Sequence, residues 1–440
     1  MNLNLHPTEY EAPVVSESHG RRVAYSLMTA AILLVGGFIS VAQMRAVDFP
    51  VDMAIYRAGV RAFMDGGEMY TVPMMAGDLA LPFIYPPFGA LVMVPLTAPS
   101  WLSDDIAGNI MIGISNLFLL FGLYFVLRAV CKGLPISLIR LLTAATWALV
   151  LVFEPIRLNN SFAQINAFLM CLVLIDLAPR NTKWIPRGTL IGIAAAIKLT
   201  PLAFGLYLLL RKDFRALITT AISAVVCTLL AALWRLDSTI QFYFSTLLGM
   251  GTESQIGVDT TYQSNSSLKG MLMRFSPSAQ WLDTHSTLIN VLWLVLVLAT
   301  IGLGALLMVA LLRRGLTVDA VLVNAIVMLL ISPVSWSHHW VWAAVFIPVW
   351  IWRAVTVFPR PTGLIGVLIV WMACVITVPP KWWFGDSINV FALPLWQKIL
   401  VSDYVWLGMA ILIAVALAVR QIPRQSIQAT QPGAPSRPVN

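Results

Sequence analysis

The chain has 440 residues, of which 59% are hydrophobic and 11% are charged, and its mean hydropathy is +0.83. No ordinary soluble domain has this composition, so the sequence predicts an all-α polytopic membrane protein. The formal net charge of +8 comes from Lys and Arg residues in short clusters between apolar runs, where such residues set membrane topology, and we expect no nucleic-acid partner.

Apolar runs along the chain predict about 10–13 transmembrane or re-entrant helices, at about 20 residues per crossing. The first run, from Val23 to Met44, follows Arg21 and Arg22, which place the N-terminus in the cytoplasm. The predicted divisions are a cytoplasmic tail over 1–22, a membrane domain over 23–420 with external loops at about 45–82 and 235–285, and a disordered cytoplasmic tail over 421–440.

Two topologies are open. In the first, every apolar candidate crosses the membrane and both termini are cytoplasmic. In the second, the stretch around Tyr85–Pro87 and the stretch broken by Lys198 and Pro201 are re-entrant, which returns the basic cluster at 180–187 to the cytoplasm. Both topologies leave Asp52 on the external side.

Residues 51–67 predict an amphipathic helix along the external membrane face. Asp52 lies at its start, where a carboxylate either caps the helix or, held at the water–membrane boundary, removes a proton from a substrate hydroxyl. Asp48 is the rival carboxylate. The apolar side of this helix comprises Ile55, Gly59 and Phe63, and Arg57, Arg61 and Asp65 point elsewhere.

Further polar groups interrupt or precede apolar runs, where polar side chains are costly. Gln164 and Asn166 precede a long apolar run, and their uncharged amides suit sugar hydroxyls. Lys198 must snorkel to the surface, form a structural pair or bind an anion, and the proline that follows it predicts a helix break. Glu154 and Arg157 have the spacing of an ion pair at a helix end.

The segment 332–340 contains the adjacent histidines His338 and His339. Neighbouring positions on a helix point to different faces, so the two imidazoles are not expected to bind one metal, and no other ligand cluster completes a metal site. They are interpreted as hydrogen-bonding groups at the mouth of a cavity, with plain interfacial histidines as the alternative. Trp336 and Trp340 are interpreted as markers of the membrane interface. The four cysteines are far apart, which predicts small buried hydrophobes.

Two external segments are ambiguous. The segment 261–270 is polar and uncharged except for Lys269, which fits either a substrate contact or a solvated loop. Trp382, Trp383 and Asp386 form another external patch, which could stack against a sugar ring or anchor the protein at the interface.

Taken together, these motifs resemble the actinobacterial polyprenol-phosphate-mannose-dependent mannosyltransferases of glycosyltransferase family 87, which have the GT-C membrane fold. The resemblance covers roughly residues 20–360, and within the family it is nearest to the α-1,2-mannose branching enzyme of lipomannan and lipoarabinomannan. The enzyme that extends phosphatidylinositol mannosides is the rival. One departure is Ala163, where lipomannan-type relatives tend to have Gly. The matching motifs are Asp52 with Ile55-Tyr56, Pro82-Phe83 with Tyr85-Pro86-Pro87, Gln164-Ile165-Asn166, Lys198-Leu199-Thr200-Pro201 and Ser335-Trp336-Ser337-His338-His339-Trp340.

The resemblance implies an inverting single displacement from polyprenyl-phosphate-mannose to a lipoglycan acceptor, with Asp52 as general base and no metal or cofactor. The implied location is the plasma membrane, with the active site facing the periplasm. The same fold also accommodates arabinofuranosyl transfer, and a lipid-linked sugar flippase is the alternative from another class. The groups expected to meet the leaving phosphate are Lys198, Lys269, His338 and His339. The remaining expected substrate-binding residues are Gln164, Asn166, Tyr56 and Tyr85.

Overall fold

The computed structural model describes residues 17–179, 185–249 and 259–422. Most of both predicted tails, residues 180–184 of the basic cluster and residues 250–258 of the second external loop lie outside the described residues. The described chain is helical apart from one two-stranded hairpin, which the sequence did not predict.

The first part of the chain alternates long helices with short ones. Its elements are α1 (His19–Arg45), α2 (Val51–Asp65), β1 (Met74–Ala76), β2 (Leu79–Leu81), α3 (Pro87–Met93), α4 (Asp104–Val130), α5 (Ile136–Val150), α6 (Glu154–Ser161), α7 (Asn166–Leu177), α8 (Thr189–Ile197) and α9 (Gly205–Leu210). The strands pair antiparallel, with Met74 opposite Leu81.

The second part continues the pattern. Its helices are α10 (Phe214–Trp234), α11 (Leu236–Gln241), α12 (Leu247–Gly249), α13 (Leu268–Arg274), α14 (Ala279–Thr284), α15 (Ser286–Leu312), α16 (Thr317–Ile331), α17 (Ala343–Thr356), α18 (Thr362–Ile376), α19 (Leu395–Val401) and α20 (Asp403–Arg420). Short 3₁₀ helices cover Thr200–Phe204 and Ser337–Trp342.

Among the described residues, six helical stretches are long and apolar enough to cross a bilayer, or seven if α5 and α6, bent by 68° at their junction, form one span. The six are His19–Arg45, Asp104–Val130, Phe214–Trp234, Ser286–Leu312, Thr362–Trp382 and Asp403–Arg420. The other apolar helices are shorter. The predicted all-α polytopic membrane architecture is confirmed.

Both stretches predicted to be re-entrant are short, broken elements. The helix α3 has seven residues and begins directly at Pro87. The helix α8 ends at Ile197, and Lys198 has an extended backbone before the 3₁₀ helix that contains Pro201. The break predicted from the proline is therefore confirmed, because the chain leaves the α-helical path just before that ring. The choice between the two topologies stays a prediction.

Two large apolar clusters form most of the core of the described residues, beside two small ones. One cluster packs α2 and α3 against parts of α7 and α8. The larger one gathers α16, α17 and α20 around Trp340, which is fully buried against Trp371 and Tyr404. The interpretation of Trp340 as an interface marker is therefore wrong, because its ring packs within the bundle. All four cysteines are buried and free, as predicted.

Candidate functional site

The carboxylate of Asp52 lies on the first turn of α2 but does not cap it. The N-cap position is Pro50, which makes no side-chain capping bond, so the interpretation of Asp52 as an N-cap is wrong. Its Oδ2 instead accepts a hydrogen bond of 2.6 Å from the Gln164 amide. Burial raises the pKa of Asp52 to about 6, and the Gln164 hydrogen bond and the charge of Lys198 oppose that rise.

Gln164 joins Asp52 to two tyrosines. Its Oε1 accepts hydrogen bonds from the hydroxyls of Tyr56 at 2.6 Å and Tyr85 at 3.3 Å, and the two hydroxyls are 2.7 Å apart. Because the amide nitrogen donates to Asp52, this arrangement suits a deprotonated carboxylate. The predicted residues Asp52, Gln164, Tyr56 and Tyr85 thus form one connected network.

The backbone that presents Gln164 passes through the left-handed region at Ala163, with φ of 52°. Only glycine adopts this left-handed region freely, and a residue with a side chain pays about 1–2 kcal/mol there relative to the right-handed form. Ala163, which stands where lipomannan-type relatives tend to have Gly, therefore adopts the left-handed backbone conformation at this cost in free energy. Gln164 lies just before α7, so this turn directs its amide toward α2.

Lys198 is paired with uncharged groups. Its ammonium donates to Asn166 Oδ1 at 2.8 Å and to the Tyr85 hydroxyl at 3.3 Å. Asn166 in turn is 3.4 Å from Gln164 Oε1. The snorkelling interpretation is wrong, because the extended backbone at Lys198 directs its side chain into the polar network.

The paired histidines face this network from the 3₁₀ helix Ser337–Trp342. The backbone carbonyl of His338 is 3.5 Å from Asn166 Nδ2, and the two imidazoles contact each other edge to face. The His338 ring is buried, and neither of its nitrogens has a hydrogen-bond partner among the residues that the structure describes. A buried polar ring without a partner is costly, which marks it as a group available to a ligand.

A cavity is lined by residues of α7, of the segment 198–204, of α16 and of the segment that contains His339. Its polar lining comprises Asn166, Lys198, Thr200, Ser332, Ser335 and His339. Its apolar lining includes Leu169, Met170, Val173, Phe204, Met328 and Leu329. The lining therefore combines groups that can bind a charged head group with groups that can pack against an apolar chain.

Three sequence-based expectations need correction. Lys269 is not among the residues that line the cavity, and its ammonium lies over the Trp293 ring on α15. Arg57 is buried and paired with Asp104. It therefore does not share an exposed charged side of α2 with Arg61 and Asp65, as the helical spacing predicted. Glu154 accepts hydrogen bonds from Trp382 Nε1 at 2.9 Å and from the Tyr404 hydroxyl at 2.8 Å, in place of the predicted ion pair.

Sequence reasoning missed Lys381. Its ammonium is fully buried, 2.9 Å from Asp403 Oδ1, and donates to the hydroxyls of Ser266 and Ser337. It thereby ties the segment 261–270, most of which is buried, to the histidine helix, so the solvated-loop interpretation is wrong. The sequence feature that could have identified it was a lysine next to Trp382 in a largely apolar stretch of the chain.

Over 17–179, 185–249 and 259–422, no group of three or more His, Cys, Asp or Glu side chains is arranged to hold a metal ion. The expectation of metal-independent transfer stays a prediction.

A protein with 32% identity is the polyprenol-phosphate-mannose-dependent alpha-(1-2)-phosphatidylinositol mannoside mannosyltransferase of Mycolicibacterium smegmatis, aligned over 90% of this chain and 89% of its own. The Mycobacterium tuberculosis protein of the same description is 31% identical over 95% and 97% of the two chains. The crystal structure of ArnT from Cupriavidus metallidurans bound to undecaprenyl phosphate aligns with 92% of this chain and 77% of its own. Its TM-score of 0.34 and 15% identity support no argument from its ligand. The model of glycosyltransferase family 87 matches residues 83–333, and the chain belongs to that family of glycosyltransferases.

Proposed function

We propose that this protein transfers mannose from polyprenyl-phosphate-mannose to a mannosylated lipid in the cell envelope, forming an α-1,2 linkage. The main observation is the hydrogen-bonded network of Asp52, Gln164, Asn166 and Lys198. Its members Asn166 and Lys198 line a cavity whose walls are otherwise largely apolar. The two aligned relatives, named for the same donor and linkage, support the donor and linkage proposed.

The proposed chemistry is one displacement at the anomeric carbon. Asp52 accepts the proton of the acceptor hydroxyl as its oxygen bonds to C1 of mannose, from the face opposite the phosphate. The C1–O bond to the phosphate breaks with its electron pair, so a monoanionic phosphodiester becomes a dianionic monoester. Lys198 and His339, which line the cavity, are placed to stabilise that added charge.

The apolar walls of the cavity are suited to contact the part of the donor's polyprenyl chain next to its phosphate. Leu169, Met170 and Val173 on α7 line one wall, and residues of α16 line the other. The phosphate would then lie near Lys198, between the lipid and Asp52. With Arg21 and Arg22 at the cytoplasmic end of α1, we place the site on the periplasmic face of the plasma membrane.

For the acceptor, the aligned relatives favour a phosphatidylinositol mannoside over the lipomannan backbone that the sequence motifs favoured. Linkage analysis of a deletion strain separates the two acceptors. Loss of higher phosphatidylinositol mannosides supports the first, and loss of α-1,2 branches on lipomannan supports the second.

Transfer itself is tested with membranes, radiolabelled polyprenyl-phosphate-mannose and an α-mannoside acceptor. We expect the label in a longer glycan from which an α-1,2-specific mannosidase releases it. Label that only changes leaflet would identify a flippase. Transfer from the arabinose donor but not the mannose donor would identify an arabinofuranosyltransferase.

Replacing Lys198 with Met should raise the donor KM about 10-fold or more, because a charge-assisted hydrogen bond to phosphate contributes about 1.5–3 kcal/mol. Lys212→Met, which removes an exposed ammonium after α9, is the matched control and should leave the donor KM unchanged. The measurement is initial rate against donor concentration at saturating acceptor. An unchanged donor KM in Lys198→Met would leave Lys198 a purely structural residue.

The rate should also depend on pH through Asp52. A base works only when deprotonated, so kcat/KM should rise as pH increases through about 6 and then level off. Gln164→Leu removes the hydrogen bond that lowers this pKa, and should move the rising limb to higher pH. A profile flat between pH 5 and 8, or an unmoved limb in the variant, would contradict the role of Asp52.

A further inference from the structure

Three aromatic rings from distant parts of the chain meet beside the histidine helix. The Tyr262 ring centroid is 6.2 Å from that of Trp336 and 6.1 Å from that of Trp382, with tilted planes in both pairs. All three side chains are partly exposed. We call these three residues the aromatic trio.

The trio is held in place by buried or short contacts. Trp382 Nε1 donates to the buried Glu154 carboxylate at 2.9 Å, and the Tyr262 hydroxyl donates to Asp386 Oδ1 at 2.5 Å. Lys381, next to Trp382, bonds to Ser337, next to Trp336. The rings are therefore pre-organised, which lowers the cost of binding a rigid ligand.

The trio lies next to the proposed reaction site along the chain. Trp336 stands between Ser335, which lines the cavity, and the 3₁₀ helix that holds His338 and His339. The trio is therefore joined through Trp336 to a segment of the chain that lines the cavity.

We propose that the aromatic trio, together with Asp386, binds a sugar residue of the acceptor that precedes the mannose being extended. This inference depends on the proposed function. Hexoses have an apolar face of C–H groups that packs on aromatic rings and a rim of hydroxyls that donates to carboxylates. Trp and Tyr supply the rings, and the exposed carboxylate of Asp386 supplies the acceptor oxygens.

A membrane anchor is the competing role for exposed aromatics. Trp383 fits that role, since the residue is 59% exposed and its ring nitrogen donates to the nearby Val378 carbonyl. The trio differs because both tryptophan rings lie beside the Tyr262 ring and an exposed carboxylate lies next to it, which lipid tails would not tolerate. Trp383→Ala is therefore the matched control.

The test compares two acceptors, an oligomannoside lipid and a simple alkyl monomannoside. Trp336→Ala and Asp386→Ala should each raise the KM for the oligomannoside, by roughly 10-fold for the tryptophan, and leave the monomannoside and donor KM values unchanged. Trp336→Phe should restore most of the affinity. Trp383→Ala should behave as wild type for both acceptors.

An equal rise in KM for both acceptors, a raised donor KM, or the same rise in oligomannoside KM in Trp383→Ala would overturn the subsite. Quenching of tryptophan fluorescence by soluble α-mannotriose measures sugar binding without transfer. It therefore tests the subsite separately from the proposed mannosyl transfer. Saturable quenching whose half-saturation concentration rises in Asp386→Ala and stays nearly unchanged in Trp336→Phe supports the subsite whichever donor sugar the enzyme uses. No saturable quenching by the wild type overturns it even if mannosyl transfer is demonstrated.

Discussion

Asp52→Asn is expected to lower turnover by roughly 10²- to 10⁴-fold, because an amide cannot accept the proton of the acceptor hydroxyl. The substitution is nearly isosteric, and the new amide oxygen can still accept the 2.6 Å hydrogen bond from Gln164. Donor binding and the unfolding temperature should therefore change little. The measurement is kcat in reconstituted vesicles at saturating donor and acceptor.

Two other carboxylates serve as controls. Asp48 is exposed before α2, and Asp48→Asn should leave kcat unchanged. Glu154→Gln should act through stability, since Glu154 is buried and accepts hydrogen bonds from Trp382 and Tyr404. Near wild-type turnover in Asp52→Asn would refute the assignment and move the base to one of these two residues.

The sequence predicted most of the polar network because isolated polar side chains in apolar runs are costly. Asp52, Gln164, Asn166 and Lys198 each stood out on that ground, and the structure brings them together. The resemblance to family 87 is confirmed. The roles assigned to these residues stay predictions.

What sequence reasoning could not predict was long-range pairing. Arg57 was assigned to an exposed face because helical spacing shows only its own helix, and its partner Asp104 lies 47 positions away. Lys269 was grouped with the phosphate-binding residues by charge alone, yet Trp293 lies under its ammonium. The small hairpin was also missed, since its strands have only three residues each.

The second large effect is expected at Lys381. With Asp403 only 6% exposed and Lys381 fully buried, Lys381→Met would leave a buried carboxylate without its countercharge. Loss of one partner of a buried ion pair costs about 3–5 kcal/mol, and the loss of bonds to Ser266 and Ser337 adds to it. The measurement is thermal unfolding in lipid nanodiscs.

A double variant separates charge from packing. Lys381→Met combined with Asp403→Leu removes both charges and should recover much of the stability, because well-packed apolar groups often replace buried ion pairs at little cost. Asp237→Asn is the exposed counterpart. Asp237 forms a 2.7 Å ion pair with Arg235, and its side chain is 67% exposed, so the change should cost about 1 kcal/mol or less.

Because Lys381 joins the segment 261–270 to the histidine helix, Lys381→Met should also lower kcat at temperatures where the variant remains folded. Unchanged stability in Lys381→Met would mean that the helix termini and the apolar core position the histidines without this lysine.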